Sequence, residues 1–203
     1  MKLYFSPGTC SLSAHIVLRE AQLPFDLVKV DLYTHTTESG SDFHSVNPKG
    51  SVPVLETDAG ERLTEGPIIA QYLADLAGRE DLLPKAGTMA RYRIQEWQNY
   101  ITSEIHKSFS TLFNPSFDAT AMATQRGVLR RKYEWLSSEL SQRPFVSGHT
   151  FTVADPYLFT VTSWSGTVGL ELGDLAPLQS YVRTIAARPS VQAAMRAEGI
   201  MPQ

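Results

Sequence analysis

The amino-acid sequence predicts an α/β domain over residues 1–78, a linker over 79–87 and an all-helical domain over 88–203. In the first part, short apolar runs alternate with helical patterns, and Pro and Gly separate them. In the last part, apolar residues recur every three or four positions, as they do on the buried face of a helix. The stretch between them combines charged residues with Gly and Pro, which is typical of a linker.

Composition narrows the class of protein. The chain has 203 residues, 42% of them hydrophobic, and its 18 basic and 21 acidic residues give a net charge of −3. This is enough chain for a sizeable core, and the mixed charges do not favour nucleic acid as a partner. No apolar run has the length of a membrane span, and the N-terminus starts with a strand pattern instead of a signal peptide. We therefore expect a cytoplasmic protein without a membrane, nucleic-acid or metal partner.

The first fifteen residues contain the candidate reactive group. Residues 3–5 predict a strand, residues 6–8 a turn, and residues 12–23 a helix that begins beside Cys10, the single cysteine. First-turn N–H groups and the helix dipole favour a thiolate over a thiol, so we predict a reactive sulfur. Cys10-Ser-Leu-Ser lacks the second cysteine of a C-x-x-C motif, so it can only exchange with a small-molecule thiol or present a polarised S–H to one. The alternative is a small buried hydrophobe.

The next elements are a strand, a polar loop and a short helical stretch. Residues 25–30 alternate apolar and polar side chains, which predicts a half-buried strand. A polar loop follows over residues 33–40, and a short helical stretch over residues 42–46. We expect mobility in this loop.

A proline-marked hairpin follows. Residues 52–55 and 62–64 predict its strands, and Pro53 stands at the entry of the first, where the Val52–Pro53 bond can be cis or trans. Pro67 then fits the first turn of a helix that runs to about residue 77. The free N–H groups around Gly66 form an anion site, and the Glu65 carboxylate lies beside it.

The predicted elements follow the order strand, helix, strand, then strand, strand, helix. This order resembles the thioredoxin-like domain of cytosolic glutathione transferases, and so do residues 8–10, Val52-Pro53 and Glu65-Gly66. The resemblance implies that Val52 offers its backbone N–H and C=O to the cysteinyl part of glutathione. It also implies that Glu65 and the backbone amide of Gly66 bind the γ-glutamyl ammonium and carboxylate. The family usually has Ser at position 66, so a hydroxyl is missing here.

From residue 88 a long helix has two contrasting faces. One face is apolar and is expected in the core, with Ile94, Trp97, Ile101, Ile105, Phe109 and Leu112. The other carries neutral polar residues, which are Tyr92, Gln95, Asn99, Ser103, His106 and Ser110. A solvated face is one interpretation, but solvated faces usually hold Lys and Glu, so a cleft wall or an interface fits better. His106 can donate a hydrogen bond to a sulfur or accept its proton, and Lys107 adds positive charge.

Three further helices are predicted, over residues 120–142, 177–188 and 190–198. The first has a buried stripe of Leu129, Tyr133, Leu136 and Leu140. Before the second, Thr152 and Asp155 have the spacing of an N-terminal capping box with an acid in place of Glu or Gln. We expect this box to serve folding, not catalysis, and its loss to cost about 1 kcal/mol.

Cys10, His106-Lys107 and the capping box together resemble the bacterial beta class of glutathione transferases over the whole chain. The resemblance implies a homodimer that uses glutathione as co-substrate. It also implies that glutathione binds at Cys10, including as a mixed disulfide, and that His106 belongs to the same site. It implies that Asn99, Ser103 and Glu104 line the glutathione site. In one arrangement of the dimer, these residues reach the site of the neighbouring subunit. Other classes use an N-terminal Tyr or Ser hydroxyl, and Tyr4 and Ser11 keep that assignment open.

One departure from the family concerns the glycine carboxylate of glutathione. The family usually binds it with a lysine where this chain has His35, a residue that is largely neutral at pH 7. We therefore expect glutathione to bind more weakly or with a stronger dependence on pH. Lys49 is an alternative cation for the glycine carboxylate.

Three functions remain open on the sequence. The first is conjugation of the glutathione thiolate to electrophilic substrates of the xenobiotic or aromatic-halide type, held in an apolar pocket that Tyr4, Phe109 and Phe113 line. The second is glutathione-dependent thiol–disulfide exchange, peroxide reduction or dehalogenation through a mixed disulfide on Cys10. The third is a non-catalytic protein that binds apolar ligands, which the residues at positions 35 and 66 keep open.

Overall fold

The N-terminal part of the computed structural model, which describes residues 1–201, is a five-stranded sheet with helices. Its elements are β1 (Lys2–Phe5), α1 (Ser11–Glu20), β2 (Asp26–Asp31), β3 (Thr36–Thr37), a 3₁₀ turn (Phe43–Ser45), β4 (Val54–Glu56), β5 (Arg62–Thr64) and α2 (Gly66–Leu76). The strand order is β3-β2-β1-β4-β5; β1 and β2 are parallel and the other neighbours antiparallel. This is the predicted thioredoxin-like arrangement.

The remaining elements are all helical, as predicted. They are α3 (Met89–Tyr100), a π-helical segment (Ile101–His106), α4 (Lys107–Phe113), α5 (Ala119–Leu140), α6 (Ala154–Ser163), a 3₁₀ turn (Gly166–Val168), α7 (Ala176–Ala186) and α8 (Pro189–Glu198). The apolar stripe of the long helix is in the core, since Ile94, Ile101, Ile105 and Phe109 are each at most 4% exposed. None of the helices within residues 1–201 combines the length and the apolar character needed to cross a membrane.

Three local features differ from the sequence expectations. β3 falls in the predicted polar loop, where Thr36 and Thr37 pair with the end of β2, because two residues are too few to show a period. α1 ends three residues early in a Schellman motif, in which Gln22 has φ 55° and the N–H of Leu23 donates to the carbonyl of Leu18. The long helix is continuous, but its π-helical segment was not expected.

The capping-box residues form a buried hub at the start of α6. Asp155 is fully buried, and its carboxylate accepts hydrogen bonds from the backbone N–H of Thr152 at 2.8 Å and of Val146 at 2.9 Å. The hydroxyl of Tyr181 on α7 also donates to it, at 3.3 Å. Burial raises the pKa of Asp155 to about 6. The residue therefore connects three segments of the helical part and lies outside the cavities described below.

The turn after β1 is held by residues from the far end of the chain. The backbone N–H of Gly8 donates to Glu198 of α8 at 2.9 Å, and the carbonyl of Gly8 accepts from the Trp164 indole at 2.8 Å. Glu198 also pairs at 2.8 Å with the fully buried His15 of α1. The helical part thereby fixes the turn that carries Cys10.

Candidate active site

Two adjoining cavities meet at Cys10, His106 and Ser110. One, of about 440 Å³, is bounded mainly by aromatic side chains and is called the apolar cavity; its other lining residues are Gly8, Thr9, Phe109, Phe113, Trp164 and Thr167. The second, of about 370 Å³, is called the polar cavity; it is also lined by Ser51, Val52, Pro53, Thr64, Glu65, Gly66, Pro67, Thr102, Lys107 and Tyr157. A molecule whose polar part fills one cavity can therefore present a reactive atom to the other.

Cys10 caps the N-terminus of α1 at the junction of the cavities. Its thiol donates a hydrogen bond to the carbonyl oxygen of Val52 at 3.2 Å. Burial raises the pKa of the thiol to about 11; the nearby Glu65 carboxylate acts in the same direction, and the backbone N–H groups of Cys10 and Ser11 act against it. This pKa contradicts the predicted thiolate: desolvation outweighs the helix N-terminus, and Cys10 is a neutral S–H donor at pH 7.

The start of α2 forms the far wall of the polar cavity. Glu65 precedes the helix with φ 70°, a strained conformation for a residue with a side chain, and such strain is concentrated at functional sites. Its carboxylate pairs with the ammonium of Lys49 at 2.5 Å. The Val52–Pro53 peptide bond opposite is cis. Val52, Glu65 and Gly66 thus face one cavity, together with Cys10.

His106 closes the π-helical segment of the long helix, a rare geometry that is frequent at functional sites. Its Nδ1 lies 2.7 Å from the Tyr157 hydroxyl, and its ring packs against Trp164 with centroids 5.0 Å apart. Burial, and then the neighbouring Lys107 charge, lower the pKa of His106. The imidazole is therefore neutral at pH 7, and His106 lines both cavities, as Cys10 does.

The apolar cavity has a different aromatic lining from the one expected. Phe109 and Phe113 line it, and Trp164 packs on both rings at 5.5 and 5.7 Å. Tyr4 does not line it: the residue is buried in the sheet, where its hydroxyl is 3.4 Å from Glu56. The expected role of Tyr4 in this pocket is corrected, because its position on β1 points the ring to the side of the sheet that holds Phe43.

The two hydroxyl groups of the alternative catalytic assignment lie outside both cavities. Tyr4 is described above, and Ser11 is fully buried, with its hydroxyl bonded to the carbonyl of Ser6 at 3.2 Å. Ser11 therefore stabilises the turn before α1 and has no path to a ligand in either cavity.

Four residues predicted to bind glutathione do not line the polar cavity. His35 lies in the turn before β3, with its ring against His44 at 4.5 Å. Glu104 pairs with Lys132 of α5 at 2.7 Å, and the Ser103 hydroxyl donates to the carbonyl of Asn99 within its own helix. The other six predicted residues do line it: Cys10, Val52, Glu65, Gly66, His106 and Lys107.

Comparison with known proteins identifies the family. Residues 8–76 match the family model of the glutathione S-transferase N-terminal domain, and residues 100–189 match that of the C-terminal domain. The chain belongs to the glutathione S-transferase family. Within this family, it is 44% identical over 200 residues to glutathione S-transferase GstA of Escherichia coli O157:H7, covering 98% of this chain and 100% of that protein.

Solved glutathione S-transferase structures agree with this assignment. A bacterial beta-class enzyme from Sphingomonas chungbukensis has a TM-score of 0.95 and 43% identity, covering 99% of this chain and 100% of the other. A sphingomonad glutathione S-transferase solved with glutathione has the same TM-score and coverage at 42% identity. The resemblance to the bacterial beta class is therefore confirmed over the whole chain.

Several residues of this glutathione S-transferase site were missed from the sequence. They are Ser51, Thr64, Thr102, Tyr157, Trp164 and Thr167. The signal available for Thr102 was its position beside the uncharged stripe, whereas Tyr157 of α6 and Trp164, which follows α6, reach the site only through tertiary packing. Within residues 1–201, no group of three or more His, Cys, Asp or Glu is arranged to hold a metal ion.

Proposed function

We propose that this chain joins the sulfur of glutathione to an electrophilic carbon of an apolar, aromatic-halide-type substrate. The observation that carries the proposal is the junction of a polar and an apolar cavity at Cys10, His106 and Ser110. Glutathione has a charged peptide and one sulfur, so the polar cavity suits the peptide and the junction suits the sulfur. The second cavity then receives the electrophile.

The polar cavity offers groups for each end of the tripeptide. The Glu65 carboxylate and the N-terminus of α2 suit the γ-glutamyl ammonium and carboxylate, and the backbone of Val52 suits the cysteinyl part. Lys49 releases Glu65 when the ammonium of glutathione takes its place. Lys107 provides a positive charge on the opposite wall. We propose that His35 and, in a dimer, Asn99, Ser103 and Glu104 of the adjacent protomer complete the binding of glutathione.

The reaction needs a thiolate at neutral pH. The thiol proton of glutathione leaves to solvent, and hydrogen-bond donors at the junction stabilise the negative sulfur. Cys10 is suited to this as a neutral S–H whose hydrogen turns from the Val52 carbonyl to the glutathione sulfur, and His106 as a neutral imidazole. The sulfur forms a bond to the ring carbon, the carbon–halogen bond breaks, and the halide leaves with the bonding electron pair.

The apolar cavity determines the substrate class. Phe109, Phe113 and Trp164 give flat aromatic walls, which favour planar apolar rings by stacking. The hydroxyls of Ser110 and Thr167 are polar groups that can orient a substituent such as a nitro group.

Exchange through a mixed disulfide on Cys10 is less well supported. Cys10 is the only cysteine, and burial raises its pKa to about 11, so little of it is a nucleophile at pH 7. Its closeness to the glutathione sulfur still permits a mixed disulfide under oxidising conditions. A non-catalytic role has no specific support in the geometry.

The test is the rate of glutathione conjugation to an aryl halide by the wild type, Cys10→Ala and Cys10→Ser. We expect turnover in all three, with a loss of about tenfold in Cys10→Ala because one hydrogen-bond donor is removed. Trp164→Ala should raise the KM for the aryl halide more than that for glutathione. A folded wild type without turnover contradicts the proposal, and abolition of disulfide exchange in Cys10→Ala would then support the redox function.

We also propose that the protein is a cytoplasmic homodimer. Each chain then has one domain over residues 1–78, a linker over 79–87 and a second domain over 88–203. Ile68 and Leu76 of α2 and Tyr92 of the adjacent α3 are about half exposed, and Met89 of α3 is 67% exposed. Apolar surface of this kind suits an interface. Sedimentation equilibrium tests this: a monomer at micromolar concentration would contradict it.

A further inference from the structure

Tyr157 and His106 form a hydrogen-bonded pair that the proposed reaction has not used. The phenol oxygen lies 2.7 Å from Nδ1 of His106, and the two rings are nearly perpendicular, at 84°. Tyr157 projects from α6, in which every residue from Ala154 to Thr162 is buried. The phenol is therefore held on a rigid element, with its hydroxyl at the wall of the polar cavity.

The direction of this hydrogen bond follows from the chemistry of the two groups. Burial raises the pKa of the Tyr157 phenol well above its usual value and lowers that of His106, so both are neutral near pH 7. A neutral imidazole nitrogen is a much stronger base than a phenol oxygen, and the phenol O–H is the better donor. The hydroxyl therefore donates to Nδ1, and the ring proton lies on Nε2.

We propose that Tyr157 is a positioning residue that holds His106 as the Nε2–H tautomer, so that Nε2 donates a hydrogen bond to the glutathione thiolate. The identity of that sulfur rests on the proposed function, whereas the tautomer does not. Nε2 has no hydrogen-bond partner among residues 1–201, and His106 lines both cavities. Trp164 packs against the same ring at 5.0 Å and restricts its rotation.

This assignment gives His106 one of its two possible roles. An Nε2–H group stabilises a negative sulfur but cannot take the proton of the thiol, because the only lone pair of the ring is occupied by Tyr157. His106 is therefore a donor to the thiolate and not a general base. Removing the phenol hydroxyl frees Nδ1, lets both tautomers form and leaves part of the population without a donor at Nε2.

The first experiment reads the tautomer directly, without substrate. Nitrogen-15 NMR of the histidine-labelled full chain distinguishes a protonated from an unprotonated ring nitrogen, and His106→Asn identifies the signals of His106. We expect protonated Nε2 and unprotonated Nδ1 in the wild type, and a mixture in Tyr157→Phe. Tyr133→Phe is the matched control, since it removes another buried phenol hydroxyl, 3.2 Å from Thr162, and should leave the His106 signals unchanged.

The second experiment measures the consequence for glutathione. The ultraviolet absorbance of the bound thiolate against pH gives the pKa of the glutathione thiol in the complex. We expect Tyr157→Phe to raise this pKa and to lower kcat about tenfold near neutral pH, the effect of one hydrogen bond, while the KM for glutathione changes less than about twofold. Tyr133→Phe should change neither quantity.

The outcomes separate this inference from the proposed function. A wild type with protonated Nδ1 overturns the inference even if conjugation is active. The expected tautomer in a protein without conjugation supports the hydrogen-bond assignment and contradicts the proposed function. If Tyr157→Phe lowers only the unfolding midpoint and leaves the thiol pKa and the His106 signals unchanged, Tyr157 is merely structural and the inference is wrong.

Discussion

Single residues in this site depend on their surroundings more than on their type. Cys10 illustrates this, because the sequence correctly predicts a sulfur at a helix N-terminus, whereas its ionisation depends on burial. The helix dipole and first-turn N–H groups are local and can be inferred from sequence. The burial of Cys10 involves residues far along the chain, such as Val52, and the charge of Glu65 also comes from a distant segment, so both can be known only from the fold.

Gly66 provides a test at the scale of one residue. A Cβ at this position would lie 3.6 Å from the Ser13 hydroxyl and 3.7 Å from Pro53, which are ordinary contacts, so a side chain fits. Gly66→Ser restores a hydroxyl at the N-terminus of α2, where it can bind the γ-glutamyl carboxylate. We expect its Kd for glutathione, measured by calorimetry, to fall about three- to tenfold.

The matched control for Gly66→Ser is Gly66→Ala, which adds the Cβ without the hydroxyl. It should bind glutathione as the wild type does. Equal tightening in both variants would show that the loss of glycine flexibility, and not the new hydrogen bond, causes the effect.

At the scale of elements, the sequence predicts helices and strands well where they are long or clearly punctuated. The hairpin of β4 and β5 and the helices α2, α5, α7 and α8 lie within a few residues of their expected positions. The π-helical segment could not be predicted from the sequence. A π-helical turn holds about one residue more than an α-helical turn, and over this short segment the spacing of the apolar residues in 94–112 stays almost unchanged. The site-facing side of α6 was also hidden, since all its residues from Ala154 to Thr162 are buried and no polar face marks Tyr157.

The start of α6 gives a prediction about pH. Asp155→Ala removes the acceptor for Thr152, Val146 and Tyr181 in the core, so it should lower the free energy of unfolding by about 3 kcal/mol, more than the loss of a surface cap. Because folding raises the pKa of Asp155 to about 6 from 3.8, the folded state retains a proton that the unfolded chain has lost. The contribution of Asp155 is therefore complete below about pH 4 and is lost as pH rises through about 6.

Urea unfolding at about pH 5 and pH 8 measures this difference. The destabilisation by Asp155→Ala should be larger at the lower pH by roughly 1 kcal/mol. Asp118→Ala, which removes the exposed cap of α5 bonded to Ala121 at 2.7 Å, is the control and should cost about 1 kcal/mol. A loss from Asp155→Ala that is greater at pH 8 than at pH 5 would contradict the assigned pKa.

At the scale of the whole molecule, the site depends on contacts between distant parts of the chain. Trp164 was missed because it follows the end of α6 and reaches the site through a bond to Gly8, 156 residues away. The six residues of the polar cavity that the sequence predicted to bind glutathione were found because they lie in local motifs. Residues that meet the site only through tertiary packing have no such motif.

Glu198 is the residue through which α8 holds the active-site turn. Glu198→Ala leaves the N–H of Gly8 and Nδ1 of the buried His15 without their partner, so we expect a loss of about 3 kcal/mol in the free energy of unfolding. Conjugation should also slow, because the Cys10 turn loosens. Glu139→Ala, which breaks the more exposed pair with Arg143, is the control for urea unfolding and turnover. Equal stability of both variants would show that α8 does not hold the turn.

The same contact has a consequence for the synthesis of the protein. A ribosome releases the chain from the N-terminus, so the turn that carries Cys10 emerges well before Glu198, which lies 190 positions after Gly8. The sheet can form while translation continues, but the turn remains unanchored until α8 leaves the exit tunnel. A nascent chain stalled before residue 198 therefore presents the Cys10 thiol on a loose turn, and the turn becomes anchored only after Glu198 has been synthesised.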